Sequence, residues 1–557
     1  APTTPAPTTP APTTPAPTTP GERPNLPDMI QDLGREIDPQ AEAKLQEAYV
    51  EYFTPGGNPQ RVIELVQEAL KIQTQAHPQP QNQLFEAYQL LGLTLMRGGN
   101  LEQAISAFGA ALQINPNYAE AMIAKGQAHF ELKEYRQAAD SLTDALNLDS
   151  RIFQALYWRG KARIELRDYQ AAIEDLQEAT NVQRNSKEAF TALGKAQLLV
   201  GDAASAQASL DRAIKIDSAV PPEQKSTYAE AYFERGKLYA TIGDLEKSAA
   251  DLTIAVERDG KNREYLMNLG ALRHELAIAD RDPSQFTQAI EMFNRAIDAP
   301  KKPEEEKDVS PWVALARTYI EQGNMETDKA RAAESYRNAI AQANEALKVE
   351  KKAATAFYQR GVAERMLDDL DAAMVSLAEA IRLAPNFAQA YYRRGIIWYH
   401  RGEYRLAGQD FDDALRGEPG NPKYHVWRGL VHARLGKYVD AIDAYSAALR
   451  SNPLNGRTYH NRALAYLAIG ETDKAVADFN HAIRLDARDA QAFYRRGVAL
   501  DRLGEADRAL ESLSKAIELK TDFADALLAR GRLYERLGNS AKAANDLAAA
   551  KKLAPAN

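Results

Sequence analysis

Residues 389–422 read QAYYRRGIIWYHRGEYRLAGQDFDDALRGEPGNP, and their pattern decides the fold. Apolar residues recur at helical spacing through 390–399 and again over 406–415. Gly402 breaks the first run, and Pro419 ends the second. Two helical segments separated by so short a break predict a helical hairpin. One hairpin cannot bury its apolar surface alone, so it needs similar neighbours.

Small residues mark where the two helices of the hairpin are expected to approach. They are Gly395 in the first helix and Ala407 and Ala414 in the second, since larger side chains would hold the helices apart. Residues equivalent to Gly395 recur mostly at steps of 34 residues, at Gly92, Gly126, Gly160, Gly194, Gly236, Gly270, Ala316, Gly361, Gly429, Ala463, Gly497 and Gly531. Most of the chain is therefore predicted to consist of copies of one hairpin.

This repeat resembles the tetratricopeptide repeat (TPR) family over residues 81–555. The resemblance rests on the period, on the small residues of both helices and on the proline that closes many copies, such as Pro385 and Pro453. It implies an all-α, right-handed superhelix of about thirteen TPR hairpins, with the first helix of each lining a groove. We expect a degenerate hairpin to precede them.

The periodicity divides the chain into six segments. They are a low-complexity tail (1–20), a linker (21–40), a degenerate N-terminal hairpin (41–80), a regular block (81–217), a block with insertions (218–352) and a regular block (353–557). We expect the insertions to form loops on one face. No capping helix is evident in the last block, so Leu547, Ala550 and Leu553 are expected to face outward.

The tail is Ala-Pro-Thr-Thr-Pro written four times, without charged, aromatic or large aliphatic residues. Such a sequence favours polyproline II and is typical of O-glycosylated stalks, although a plain linker is the alternative. The candidate glycosylation sites are Thr3, Thr4, Thr8, Thr9, Thr13, Thr14, Thr18 and Thr19.

Composition limits the class of protein. No apolar run reaches the ~20 residues that span a bilayer, and there is no cysteine for disulfides or thiolate metal sites. The first residue is Ala1, which suggests either a removed leader or a further N-terminal part that precedes this sequence. A removed leader predicts an extracellular or cell-surface location, with the periplasm as the alternative. The net charge of −8 divides into +4 over 353–557 and −12 over the rest, which would favour head-to-tail contacts between copies.

Chemistry-bearing motifs are absent from the sequence. It lacks a phosphate-binding loop, a His-Glu-x-x-His motif and a Gly-x-Ser-x-Gly motif. His425 and His432 are seven residues apart without a nearby carboxylate pair, so structural roles are favoured over a metal site. Basic residues are interspersed with acidic ones, which argues against nucleic acid. We expect no enzyme activity, no cofactor and no metal.

The family resemblance implies that the groove binds extended peptides. Its positions transfer here to Tyr157, Phe233, Tyr358, Tyr392, His460 and Tyr494, with Tyr399 further along the same face. The clamp by which some relatives grip a chaperone tail needs Lys and Asn at such positions, so that clamp is not expected. Aromatic rings suit a proline-rich ligand, because they stack on pyrrolidine rings. Alternatively, the rings simply support the fold.

The favoured function is therefore a non-catalytic, exported scaffold. Its copies would join head to tail into a filament, with the tail of one copy on the repeat array of the next. The alternative is a monomeric adaptor that binds extended peptides of partner proteins and is tethered by its tail.

Overall fold

A computed structural model describes residues 35–219 and 228–553. Within these ranges the chain forms 28 α-helices and no strand. The chain divides into two compact units between Leu272 and Arg273, within the thirteenth helix. The tail with its eight threonines lies outside the described residues, as does most of the predicted linker.

The helices of the first unit are α1 (Pro39–Phe53), α2 (Pro59–Ala76), α3 (Phe85–Arg97), α4 (Leu101–Ile114), α5 (Ala119–Glu131), α6 (Tyr135–Leu148), α7 (Phe153–Glu165), α8 (Tyr169–Val182), α9 (Lys187–Leu199), α10 (Ala203–Ser218), α11 (Glu230–Thr241) and α12 (Leu245–Arg258). Helix α13 (Arg263–Asp280) contains the boundary between the units.

The helices of the second unit are α14 (Pro283–Asp298), α15 (Ser310–Met325), α16 (Lys329–Val349), α17 (Ala354–Met366), α18 (Leu370–Leu383), α19 (Ala388–His400), α20 (Tyr404–Gly417), α21 (Pro422–Arg434), α22 (Tyr438–Ser451), α23 (Gly456–Ala468), α24 (Thr472–Leu485), α25 (Ala490–Arg502), α26 (Ala506–Leu519), α27 (Ala524–Arg536) and α28 (Ser540–Leu553).

Consecutive helices pair into hairpins, and hairpins stack on their neighbours within each unit. Helix α7 packs on α8, and α8 packs on α9; likewise α21 packs on α22, and α22 on α23. Within the two units, twelve such hairpins of the described residues follow the first one, α1–α2. The prediction of an all-α repeat array with a degenerate first hairpin is confirmed.

The turn inside each hairpin is closed by backbone hydrogen bonds. In the α19–α20 turn the N–H of Gly402 donates to Tyr399 O (3.1 Å), and the N–H of Glu403 donates to Trp398 O (3.0 Å). Gly402 has a φ of +80°, the left-handed conformation that such a turn requires. Four hairpins place Lys133, Arg167, Arg281 or Asp368 in this conformation instead of glycine.

The small residues lie where the two helices of a hairpin meet. A Cβ atom added to Gly395 would stand 2.9 Å from Cε1 of Phe411, which lies sixteen residues further on. Ala407 and Ala414 are fully buried. The expected close approach of the helices at these positions is therefore confirmed.

A charged pair also bridges many hairpins. Arg394 Nε donates to Asp410 Oδ2 (2.9 Å), and Arg394 Nη2 donates to Asp410 Oδ1 (2.7 Å). The same sixteen-residue spacing recurs in Arg159–Asp175, Arg235–Asp251, Arg462–Asp478 and Arg530–Asp546. Asp410 is almost fully buried, so the arginine supplies the hydrogen bonds that its carboxylate loses from water.

Two insertions of 218–352 lengthen helices instead of forming the expected loops, while 220–227 lie outside the described residues. Helix α16 has 21 residues and α13 has 18, whereas most other helices have 13 or 14. Extra residues thus become extra helical turns, because helix-favouring stretches such as 329–349 contain neither Gly nor Pro. The 299–311 insertion contains a short 3₁₀ turn, Pro303–Glu305.

The outer face of α28 also differs from expectation. Ala550 is buried, so the prediction that it faces outward is wrong, whereas Leu547 packs on Gly531 inside its own hairpin and is partly exposed. Leu553 is 42% exposed, as expected. The positions that face the next hairpin in α22 are occupied by Ile and Leu, but in α28 they hold the exposed Ala544 and Lys551. The outer face of α28 therefore carries a small and a charged side chain where α22 carries two large apolar ones.

Candidate peptide-binding surface

First helices of successive hairpins contact one another directly. Helix α5 contacts α7 and α7 contacts α9 in the first unit, while α15 contacts α17 and α19 contacts α21 in the second. These contacts leave the first helices side by side within each unit. We call the side they share the first-helix surface.

Three predicted tyrosines occupy equivalent positions in the second unit. Tyr358, Tyr392 and Tyr494 are each partly exposed. Each ring also touches a ring near the start of the next first helix, with centroids 4.9 to 5.0 Å apart: Phe387, Tyr424 and Phe523, respectively. The rings therefore support stacking of the hairpins and still present part of their surface.

Phe233 does not present an accessible ring. It is 2% exposed and lies 4.5 Å from the ring of Tyr265 in the following first helix. At this position the aromatic side chain packs between hairpins and supports the fold, which was the alternative to a role in ligand binding.

Tyr157 belongs to a cluster around Lys161. The ammonium of Lys161 lies 4.6 Å from the Trp158 ring and 5.4 Å from the rings of Phe130 and Tyr157. Burial lowers the pKa of Lys161, and the three rings offer cation–π contacts to its charge. The cluster joins α5 to α7.

Tyr399 and His460 have polar partners. The Tyr399 hydroxyl accepts a hydrogen bond from Arg434 Nε (3.0 Å), and its ring lies 5.3 Å from Trp427. His460 Nδ1 lies 3.7 Å from Asp489 Oδ2, and burial lowers the pKa of His460. Both side chains are held in place by neighbouring hairpins.

A cavity of about 230 Å³ opens on the first-helix surface between α15, α17 and α19. Tyr358, Ile320, Val362 and Met366 provide its less polar wall. The charged lining consists of Arg317, Glu321, Arg365 and Arg393. One predicted groove residue, Tyr358, thus lies in a site with an excess of positive charge.

Two of these arginines lack an acidic partner. Among the described residues neither Arg365 nor Arg393 makes an ion pair, and the Nε atom of each is buried without a hydrogen bond. Nη2 of Arg365 has only the weak acceptor Met366 Sδ, at 3.2 Å. Burial, together with repulsion from Arg393, lowers the pKa of Arg365. Most partly buried arginines among the described residues make ion pairs, so these two stand apart.

The other charges of the cavity are already engaged. Arg317 Nη2 donates to Glu275 Oε1 (2.8 Å), and Glu321 Oε2 accepts a hydrogen bond from Asn324 Nδ2 (3.0 Å). The charges of Arg317 and Glu275 cancel, and the negative charge of Glu321 offsets that of one of the two remaining arginines. The cavity is left with about one unpaired positive charge.

Three models described as tetratricopeptide repeat match the chain. The matched residues are 327–386, 375–422, 402–455, 460–522 and 502–557 for the first model, 95–164 for the second, and 153–186 and 229–262 for the third. Together they cover more than half of the sequence. The chain belongs to the tetratricopeptide repeat family. It is accordingly a scaffold for protein–protein interaction.

Several solved TPR structures are similar to parts of this TPR protein. YrrB, described as a TPR protein with an unusual peptide-binding site, is 25% identical over 34% of this chain and 97% of its own, with a TM-score of 0.32. MamA is 25% identical over 28% of this chain and 93% of its own, with a TM-score of 0.28. Yeast Tom70 is 17% identical over 79% of this chain and 92% of its own, with a TM-score of 0.33. The comparison with curated proteins found no match.

Sequence reasoning placed the aromatic residues of this TPR protein but missed the role of Arg365 and Arg393. Arg393 and Arg394 are adjacent, but only Arg394 pairs with a helix carboxylate, because successive residues point about 100° apart around a helix. Arg394 faces Asp410 inside the hairpin, whereas Arg393 lines the cavity. The sequence did carry one clue, because the residue sixteen positions after Arg393 is Gln409 and not a carboxylate.

Over residues 35–219 and 228–553, no helix is both long and apolar enough to cross a bilayer.

Proposed function

We propose that the first-helix surface binds an extended, proline-rich peptide, and that this peptide is residues 1–20 of another copy of the chain. The observation that supports it is the recurrence of partly exposed tyrosines at one helical position, in Tyr358, Tyr392 and Tyr494. Flat rings that recur at one repeat position suit a ligand that is already extended and carries prolines at regular intervals.

The tail supplies what such a surface recognises. It has two prolines in every five residues and no charge, so it loses little hydration when it lies on aromatic rings. Because tail and surface are different patches, each copy can bind one neighbour and be bound by another. Such a heterologous contact does not close, and it grows into a filament.

We further propose that the protein is exported and acts at the cell surface or outside the cell, with O-linked sugars on the tail threonines. The periplasm is the alternative compartment. The support is the Pro/Thr composition of the tail, which is typical of glycosylated stalks. Intact-mass analysis of the protein from its source tests this part separately, because sugars add mass to the tail peptide alone.

Deletion of residues 1–20 tests the assembly. Electron microscopy and sedimentation at matched concentration should show filaments for the full chain and single particles for the deleted one. A matched control replaces the tail with a Gly/Ser sequence of equal length, which keeps the reach but removes the prolines. Intact filaments from either variant would contradict the proposal.

A second candidate function is a monomeric adaptor for peptides of other proteins. It is favoured by Arg365 and Arg393, since a tail without charge leaves both guanidinium groups unpaired in their cavity. Sedimentation as a monomer at high concentration, together with binding of a charged foreign peptide, would support the adaptor over the filament.

A further inference from the structure

The residues that lead into α1 are fastened to the second hairpin. Arg35 Nη2 donates to Glu86 Oε1 (2.6 Å) and Arg35 Nη1 to Glu86 Oε2 (3.1 Å), in the first turn of α3. Arg35 Nη1 also donates to Gln83 O (3.0 Å), and the guanidinium lies 4.5 Å from the centroid of the Phe85 ring. The side chains of Arg35 and Glu86 are 5% and 0% exposed. This buried ion pair spans 51 positions of the sequence and so skips the first hairpin.

Two amide side chains hold the same segment on the junction between α2 and α3. Gln73 is fully buried in α2, and its Oε1 atom accepts a hydrogen bond from Asp38 N (2.9 Å). The Nε2 atom of Gln73 donates to Glu36 O (2.8 Å) and to Asn82 O (2.6 Å). Asn82 Oδ1 in turn accepts a hydrogen bond from Glu36 N (3.2 Å). We call residues 35–38 the entry strap, because they are tied to both hairpins before α1 begins.

The buried ion pair is suited to resist extraction rather than to raise stability. Taking two charges out of water costs nearly as much as their attraction returns, so such a pair adds little net stability over apolar residues. Removing only one partner is costly, because the other charge then stays buried without it. Pulling Arg35 away would do this to Glu86, whose carboxylate is fully buried. Tension that enters the array at residue 35 therefore meets resistance before it reaches α1.

We infer that the entry strap is a mechanical anchor, in which Arg35 on α3 bears tension applied to residues 1–34 and keeps it from peeling α1 off α2. End hairpins of a repeat array have one stacking neighbour, so an unanchored first hairpin would open first under load. Both proposed uses of the tail, as a link between copies and as a tether, place load on this point. The anchor does not depend on what the tail binds, because force can be applied to the tail directly.

The test loads the full chain with force in two ways. The sequence has no cysteine, so two introduced thiols define where DNA handles attach. One chain carries Gly21→Cys and the other Ala43→Cys, each together with Gln137→Cys on α6; Ala43 and Gln137 are exposed. Force at residue 21 passes through the entry strap, whereas force at residue 43 enters α1 beyond it. Optical tweezers measure the lifetime of α1–α2 at constant force, since its loss releases about 40–50 residues, or roughly 140–180 Å of extended chain.

The two handle positions should give different lifetimes. With an intact strap, α1–α2 should last at least about tenfold longer under load at residue 21 than at residue 43, the factor that one hydrogen bond to a charged group provides. Arg35→Gln should bring the two lifetimes within about twofold of each other, because the load at residue 21 then reaches α1 directly. Equal lifetimes with the intact strap, or a difference that survives Arg35→Gln, would overturn the inference.

A matched variant separates anchoring from simple stabilisation of the first hairpin. Arg97 Nη1 donates to Tyr52 O (3.0 Å), and its guanidinium lies 3.8 Å from the centroid of the Tyr52 ring, so Arg97 also joins α1 to α3 but outside the strap. Arg97→Gln should shorten both lifetimes by similar factors and keep their ratio. A ratio that falls equally in both variants would contradict the anchor. Assembly is measured separately by deletion of residues 1–20, so failure of the anchor and failure of the proposed function are distinguishable.

Discussion

Removal of Arg394 should destabilise its hairpin strongly, because it strands a buried carboxylate. Arg394 Nε and Nη2 donate to the two oxygens of Asp410 at 2.9 and 2.7 Å, and the Asp410 side chain is 5% exposed. Breaking a buried pair by removing one partner costs about 3–5 kcal/mol. Since Arg394 itself is 22% exposed, we expect Arg394→Ala to cost about 3 kcal/mol, the lower end of that range.

The cost should depend on pH in a definite direction. Burial raises the pKa of Asp410 above 3.8 even with Arg394 present. A raised carboxyl pKa means that the folded state binds the proton more readily, so stability falls as pH rises through the window from 3.8 to the folded pKa. Without Arg394 this pKa rises further. The deficit of the variant should therefore be largest near neutral pH and shrink on acidification.

Hydrogen exchange by mass spectrometry is the appropriate assay. Hairpins of a repeat array can open locally, so a global melt would average the effect away. Peptides from α19 and α20 should exchange faster in the variant, while peptides from α7 and α8 serve as an internal control. A matched variant, Asp410→Ser, copies the Arg360 Nε to Ser376 Oγ bond of 3.0 Å and should cost less. A loss below about 1 kcal/mol, or one that does not change with pH, would refute the reasoning.

Three further predictions concern single residues. Arg167→Gly should stabilise the α7–α8 turn by about 1 kcal/mol, because Arg167 has a φ of +62°, while Gly201→Ala at +85° should destabilise its turn by a similar amount; hydrogen exchange of peptides from each turn checks both signs. Gly429→Ala should cost about 1–3 kcal/mol, since its Cβ would lie 2.5 Å from the Tyr445 ring, and unchanged hydrogen exchange in α21 and α22 would contradict this packing. Arg365→Met should raise stability by about 1 kcal/mol while weakening binding of a carboxylate peptide, and a loss of both would show that Arg365 serves only the fold.

The fold was predictable because its determinants repeat. Gly395 and its equivalents mark the contact between the two helices in nearly every repeat. Once one hairpin is recognised, the 34-residue period places the others. The same regularity explains two failures at the array's irregular parts. The spacing of the small residues shows that extra residues are present near α16, but it does not show that they lengthen the helix. Ala550 was predicted to face outward, but contacts within its own hairpin bury it.

The candidate site was less predictable because it depends on which way each side chain points from its helix and on which charged groups have no ion-pair partner. Tyr358 and Tyr392 could be placed by their repeat position, but their share in packing on Phe387 and Tyr424 could not. Arg393 and Arg394 are identical neighbours in sequence, and only the structure separates the one paired with Asp410 from the one left in the cavity. An unpaired charge is a property of the surroundings rather than of a motif.

The most direct test of the proposed function is a photo-crosslink from the first-helix surface. A benzophenone amino acid replaces Tyr358 in the full chain, and the same group replaces Val439, an exposed residue on the second helix α22, as the control. The account predicts that the group at Tyr358 captures peptides from residues 1–20 of another copy, and that the group at Val439 does not. Capture of the tail equally at both positions, or at neither, would contradict binding of the tail to the first-helix surface.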